Sequence, residues 1–272
     1  MKHAQKNDPL LSSTEAARLL GVHAASIKRW SDQGKIQCLR TPGGHRRFLK
    51  SEIEALNAHE NPDNFSQNLL RALISGKQLS AEAILLEQWG ELGRWEHVGE
   101  AVGLMLEEMG KAWSAGRMKI SEEHIATETL LRSFTRIHTM IPQRPSSPVC
   151  ALATAPGDEH TLGLAISELV LAEHDWQTLW LGRFSPVDTL VEIITRPDVS
   201  MLAVSASAFS STPDKLSEML CRIGPIALAS NTTIVLGGSG SWPTEVFDTH
   251  RVNSYVAFGT LLRDLKREKD NS

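Results

Sequence analysis

The chain has little cysteine, and what it has is scattered: Cys38, Cys150 and Cys221, odd in number and far apart. That excludes the disulfide framework that holds small secreted domains together. It lacks any apolar run approaching the ~20 residues needed to cross a bilayer. No apolar signal region stands behind Met1-Lys-His-Ala-Gln-Lys-Asn-Asp8. A cytoplasmic protein with no membrane partner is expected. Internal repeats and long low-complexity tracts are absent, as are several catalytic signatures. There is no Ser/His/Asp nucleophile arrangement and no Cys-x-x-Cys zinc pattern, and Gly237-Gly-Ser-Gly240 lacks the Lys-Ser/Thr ending of a phosphate-binding Walker loop. The expectation is a binding protein and not an enzyme.

What is present is a mixed, charge-segregated chain. Its 272 residues suggest two or three domains, and 41% hydrophobic with 22% charged residues fits a globular core. Residues 1–60 carry ten Lys or Arg against six Asp or Glu, a net +4, so the remaining 212 carry −8 of the overall −4. A basic front end on an acidic body suggests a nucleic-acid module joined to something else. Asn57 to Asn64, which contains Pro62 and no apolar period, reads as a first linker, and Pro142 to Pro148, with three prolines, as a second.

The pieces between the linkers differ in period. Residues 65–141 carry helical stripes: Leu69, Leu70, Leu73 and Ile74; Ile84, Leu85 and Trp89; Val98, Val102, Met105, Leu106 and Met109; Thr127, Leu130, Leu131, Phe134 and Ile137. Four such segments predict an antiparallel four-helix bundle. Over 148–270, strands at Val149–Ala155, Thr178–Leu181, Met201–Val204, Thr233–Leu236 and Ser254–Phe258 alternate with helices. That alternation predicts a Rossmann-like parallel sheet covered on both faces. The fold class expected is multidomain, α and α/β, with a module over 1–60, the bundle, and the sheet domain.

The most informative run is Pro156-Gly-Asp-Glu-His-Thr-Leu-Gly163, between the first strand and a helix over Leu162–Leu171. A strand-to-helix loop projects beyond the carboxyl end of the sheet, where such folds bind ligands. There His160 can ligate a metal while Asp158 holds its other ring nitrogen and fixes the tautomer. Gly163 lets a bulky group approach the backbone. Ser205-Ala-Ser207 follows Gly163 after 41 residues, past the third strand, and Gly237-Gly238 follows Ser207 after 29 more, past the fourth. This pattern resembles that of cobalamin-binding domains: Asp-x-His-x-x-Gly, then Ser-x-Leu, then Gly-Gly. The resemblance implies that His160 replaces cobalamin's own base on cobalt. The displaced nucleotide tail would enter a slot lined by Ser205, Ser207, Gly237 and Gly238. Ser207 stands where the family has Leu, which should alter tail packing without abolishing it.

In the first 60 residues, Leu11 to Val22 reads as a short helix capped by Ser12 or Ser13 with Glu15 near its start, ending at Gly21. His23 to Trp30 reads as a second helix, with Leu19, Leu20, Ile27 and Trp30 packing the pair together. Arg40-Thr-Pro-Gly-Gly-His-Arg-Arg-Phe48 reads as a glycine-turned basic hairpin. Over about residues 10–56 this resembles the winged-helix DNA-binding domain of the MerR family. By that resemblance Ser26, Lys28 and Arg29 face the major groove, and Arg40, His45, Arg46 and Arg47 are wing contacts to phosphate or minor groove. A module this small needs paired half-sites, hence a homo-oligomer, dimer or tetramer, on double-stranded operator DNA.

Within the helical segment, Gly116 breaks one helix, Ser121 caps the next, and Glu122 and Glu123 suit its positive first turn. Trp113, nine residues, then Glu123-His124, ahead of a cobalamin-type domain, resembles the CarH-type light-sensing transcriptional repressors. That resemblance implies that Trp113, Glu123 and His124 meet the upper face of the cofactor, adenosylcobalamin first, with methyl- or hydroxocobalamin as alternatives. Typical members carry a His directly after the Trp that binds cobalt after illumination; here that residue is Ser114, leaving water or hydroxide, or else His124, then His97 or His138, as substitutes. A light-independent cobalamin- or redox-sensing regulator and a corrinoid methyl carrier are the rival expectations. His3, His59, His174 and His250 are expected at the surface.

Overall fold

Local signals decide how the first unit begins. In the computed structural model, which describes residues 8–19, 24–32, 36–41, 43–51, 53, 62–208, 212–244 and 247–270, β1 (Leu10–Ser12) runs directly into α1 (Ser13–Leu19). Ser12 is the cap: the Glu15 amide donates to Ser12 Oγ (3.3 Å) and the Ser12 amide to Glu15 Oε2 (2.7 Å), a reciprocal capping box. The Glu15 carboxyl is held below its usual range chiefly by the Ser12 amide. α2 (Ala24–Asp32) follows, then a hairpin of β2 (Leu39–Arg40) and β3 (Arg46–Leu49) that pairs with β1 in the order β1-β3-β2, all antiparallel. The core is Ala16, Ala17, Ile27, Ile36, Phe48 and Ile53, with Trp30 packed against it. Leu19 is 38% exposed, outside the core, and Leu20, Gly21, His3 and His59 lie outside the described residues.

The chain divides into two units, residues 1–68 and 69–272, and the division falls inside α3 (Pro62–Ile74). Pro62 therefore opens a helix instead of ending a linker, as its preset φ and missing N–H allow. α3 is followed by α4 (Gln78–Leu92), α5 (Trp95–Ser114) and α6 (Ile120–Met140), the four expected helices. Their apolar stripes are largely buried, with Trp89 the exception at 39% exposed. Gly116, at φ +67°, ends α5. α6 starts two residues earlier than Ser121 would set it. Its cap is Lys119, whose amide donates to Glu122 Oε2 (2.8 Å).

The sheet consists of β4 (Val149–Thr154), β5 (Gln177–Gly182), β6 (Val199–Ser205), β7 (Thr233–Gly237) and β8 (Thr249–Arg251), all parallel, in the order β5-β4-β6-β7-β8. This is a doubly wound sheet whose order reverses between β4 and β6, and ligands bind at that reversal. α8 (Val187–Ile194) and α9 (Pro213–Ala229) cover one face with Leu190, Ile194, Leu216 and Leu220. α7 (Leu162–Glu173), α10 (Tyr255–Asp270) and the bundle lie on the other. Ser254–Phe258 is not the fifth strand. The Ala257 amide donates to Ser254 Oγ (3.0 Å), so Ser254 caps α10, and Phe258 and Leu262, one helical turn apart, are buried. The i,i+4 pairing of those side chains overrides the β-prone local sequence. Among the described residues no helix is long and apolar enough to cross a membrane.

A buried ion cluster docks the bundle on this layer. Glu96 of α5, 2% exposed, accepts from Arg263 Nη1 at 2.9 and 3.1 Å and meets His174 Nε2 at 3.3 Å. His174 is thus interior, not a surface residue. A Cβ on Gly259 would stand 1.7 Å from Glu96 Oε2, so only glycine admits the carboxylate there. Burial pushes the Glu96 pKa up, but hydrogen bonds from Arg263 and His174 outweigh it and hold it below the usual range; burial lowers that of His174 against the pull of Glu96. Both shifts mean that folding releases protons, so stability should fall as pH drops below about 6.5 and on through the carboxylate range. Because Arg263 is about a third exposed, Glu96→Gln should cost about 2 kcal/mol at pH 7, less than breaking a fully buried pair, and flatten the acid limb of the profile. Urea unfolding followed across pH measures both effects.

Candidate functional site

The site is built on the two strands at which the sheet order reverses. The loop after β4 turns at Gly157 (φ +84°) and places Asp158 in the interior, 1% exposed. Its backbone is locked by Thr154 Oγ1, which donates to the Asp158 carbonyl (2.6 Å). Its carboxylate accepts the His160 amide (2.9 Å), bonds His160 Nδ1 (2.8 Å), and accepts the Ser207 amide from the loop after β6. Burial works to raise the carboxyl's pKa, but the amides of His160 and Ser207, with the ring, prevail and hold it below the usual range. An ionised Asp158 therefore fixes the His160 ring, as the spacing predicted, and presents Nε2 away from the carboxylate. The His160 side chain is 62% exposed.

Beside this pair lies a cavity of about 320 Å³. It brings Gly163, Ser205, Gly237 and Gly238 together, four of the residues that the sequence motifs singled out. Gly238, at φ +79°, could not be another residue: a Cβ would lie 2.3 Å from the Ala206 carbonyl oxygen and 2.9 Å from Ser205 Oγ. At Gly237 the nearest atom would be 3.9 Å away. Three residues that carry no motif complete the loop. Trp242 Nε1 donates to the Gly237 carbonyl (2.8 Å), Arg251 donates to the carbonyls of Leu236 (2.9 Å), Gly238 (2.5 Å) and Val252, and the Tyr255 ring forms part of the wall. No short-range pattern marks them, because each acts across a loop or a helix.

Helix α5 supplies a further wall through Glu100, Gly103, Leu104 and Glu107. It runs antiparallel to α7: the Trp95 amide bonds Glu173 (3.0 Å), Gly99 abuts Ile166, and Gly103 shares the cavity with Gly163. Its direction is thus toward the His160 loop. Trp113, ten residues beyond Gly103, lies about 15 Å further along at 1.5 Å per residue. Trp113 is 49% exposed. Across the turn at Gly116, Glu123 accepts from Thr127 Oγ1 (2.8 Å) and bonds His124 Nδ1 (2.7 Å), with the His124 side chain 73% exposed. Trp113, Glu123 and His124 therefore share one end of the bundle. Ser114 donates to the Gly110 carbonyl of its own helix (2.9 Å). His138 is turned toward Glu168 (3.9 Å).

In the first unit, Lys28, Arg29, Arg40 and His45 are exposed, and the hairpin turn closes through Thr41, whose amide donates to the His45 carbonyl (2.9 Å). Arg46 is engaged within the unit: it donates to the Lys28 carbonyl (3.0 Å) and to Asp32 (2.6 Å), strapping the hairpin to α2. Arg47 is half-buried. The Ser26 side chain lies outside the described residues.

The residues fit a corrinoid on two counts. The donor set is one imidazole with a fixed tautomer; among the described residues no group of three or more His, Cys, Asp or Glu could hold a bare metal ion. One axial donor suits a metal whose equatorial positions a macrocycle already fills. The glycine-lined cavity beside it is closed to any side chain at Gly238.

Residues 10–56 match the helix-turn-helix domain family. The dimethylamine corrinoid protein of Methanosarcina barkeri is 22% identical over 178 residues, covering 64% of this chain and 82% of the relative. The solved structure of the monomethylamine corrinoid protein of Methanosarcina barkeri superimposes with a TM-score of 0.59 at 10% identity, covering 75% of this chain and 100% of that one. Gly238→Ala should cost at least about 2 kcal/mol, from the strained φ together with the clash on Ala206, whereas Gly237→Ala should fold close to normally; urea titrations of the two variants separate them. The chain thus joins a helix-turn-helix domain to a helical and parallel-sheet body with the fold of a corrinoid protein, the architecture that its resemblance to CarH-type regulators implied.

Proposed function

We propose that the chain is a cobalamin-binding transcriptional regulator whose DNA binding is switched by light, acting as a repressor and not as an enzyme. The observation that carries this proposal is the Asp158-held His160 at the sheet's reversal point, beside the glycine-lined cavity and in the path of α5. His160 would hold cobalt from below through Nε2. Ser205, Ser207, Gly237 and Gly238 would receive the nucleotide tail, and Trp113, Glu123 and His124 would cover the upper face. When bound, adenosylcobalamin supplies a cobalt–carbon bond that light breaks. Trp113 would then lose its packing partner, and α5, which reaches from that residue to the cavity and the Glu96 cluster, would reset the bundle. The cofactor acts only through its different interaction with the two states.

The helix-turn-helix family match and the exposed basic side chains Lys28, Arg29 and Arg40, with His45 beside them, support operator binding by a homo-oligomer. Ser114, bonded back to its own helix, favours a second reading in which cofactor level, not light, is the signal. The test is to load the protein with adenosylcobalamin in darkness and measure mass and operator binding before and after green light. A change of oligomer size with about tenfold or greater loss of DNA affinity is expected. Binding that tracks cobalamin identically in light and dark would reject the light switch in favour of the second reading.

A further inference from the structure

Helix α4 is apolar on two opposite faces. The inner face buries Ala81 and Leu85 where the helix packs on α5 and α6. The outer face carries Leu79, 68% exposed, Leu86, 38% exposed, and Ala83 and Gly90, both exposed as well. These four follow one another at intervals of four, three and four residues, the spacing of a coiled-coil seam. Single exposed leucines are ordinary, but an apolar stripe along a helix that is apolar on its other side too marks a surface built to be covered.

Gly90 is a second, independent observation. A Cβ there would meet nothing within 4 Å. Glycine weakens a helix, and among the described residues no neighbour needs the missing side chain. With Ala83, seven residues before it, Gly90 leaves hollows beside Leu79 and Leu86 into which a facing helix can set leucines of its own.

The charges select the occupant. Lys77 and Glu91 stand exposed at opposite ends of the helix, and neither is in an ion pair among the described residues. At ~1.5 Å per residue they are ~21 Å apart, so they cannot meet within one helix. Reversing the helix on a two-fold axis brings them together: Leu86 then faces the partner's Ala83, Leu79 the partner's Gly90, and Lys77 the partner's Glu91, each contact made twice. We propose that the outer face of α4 is a self-association surface on which a second copy of this chain packs antiparallel. This gives the homo-oligomer of the regulator reading an interface. It needs no cofactor, because α4 takes no part in lining the cavity. One helix pair buries less than the ~1,600 Å² of a standard interface, so the dimer is weak alone and is reinforced when paired half-sites hold two copies together.

The test is sedimentation equilibrium of the full chain, free of cobalamin and DNA, for the parent, Ala83→Glu, Lys77→Glu, Glu91→Lys and the Lys77→Glu/Glu91→Lys double variant. The parent should dimerise reversibly in the micromolar range. Ala83→Glu should weaken the dimer about tenfold or more, each single charge reversal about fivefold, and the double variant should return to within about twofold of the parent. That rescue can arise only between copies. All the substituted positions are exposed, and unchanged urea unfolding shows that the variants are folded. A parent that stays monomeric, a dimer indifferent to Ala83→Glu, or charge reversals without effect or without rescue overturns the proposal and leaves the cobalamin and operator readings in place. A chain that dimerises as described but binds no cobalamin keeps this surface and loses the corrinoid reading.

Discussion

One buried carboxylate organises the site. Asp158 belongs to the loop after β4, yet it accepts an amide from the loop after β6, so it ties together the two strands between which the sheet order reverses. A carboxylate this deep would ordinarily take up a proton. Two backbone amides and an imidazole keep it charged, and the charge in turn orients the imidazole. From that knot the remaining geometry follows: Gly163 lies in the first turn of α7, three residues past His160, and Ser205 and Ala206 set the floor into which only a glycine fits at 238.

The second constraint is the course of α5. Its first turn is held by Glu173 and by the Glu96 cluster, its second turn is pressed against Tyr255 and Ile166 at Gly99, and its last turn carries Trp113. Such a helix cannot bend locally without losing packing along its length. A change felt at Trp113 and a change felt in the cavity therefore bear on the same rigid element, which gives the proposed switch a physical carrier.

Much of this was legible in the sequence because the informative residues are close together or follow strands. Asp158, His160 and Gly163 lie within six residues, and each later motif begins where an apolar run ends. The four helices announced themselves by their period. What was hidden depends on long-range partners. Tyr255 and Arg251 act on loops and helices distant in sequence, and Ser254–Phe258 is β-prone locally but helical once Phe258 and Leu262 are buried together. His174 reads as a solvated residue locally because its partner, Glu96, stands 78 residues before it, and Glu96 is itself held by Arg263 of α10. Arg46 matches the wing motif, yet the carboxylate of Asp32 sits within its reach. Short-range pattern marks donors and turns, whereas tertiary contacts decide which donor is already spoken for.

The central claim is that His160, oriented by Asp158, is the protein's axial ligand to a corrinoid metal. It is tested most directly by titrating the parent and His160→Ala with cobalamin and recording the visible absorption bands. The account predicts shifted bands and tight binding for the parent, and for the variant the spectrum of the free cofactor with affinity lower by about tenfold or more. Equal affinity and identical bands in the two proteins would contradict it.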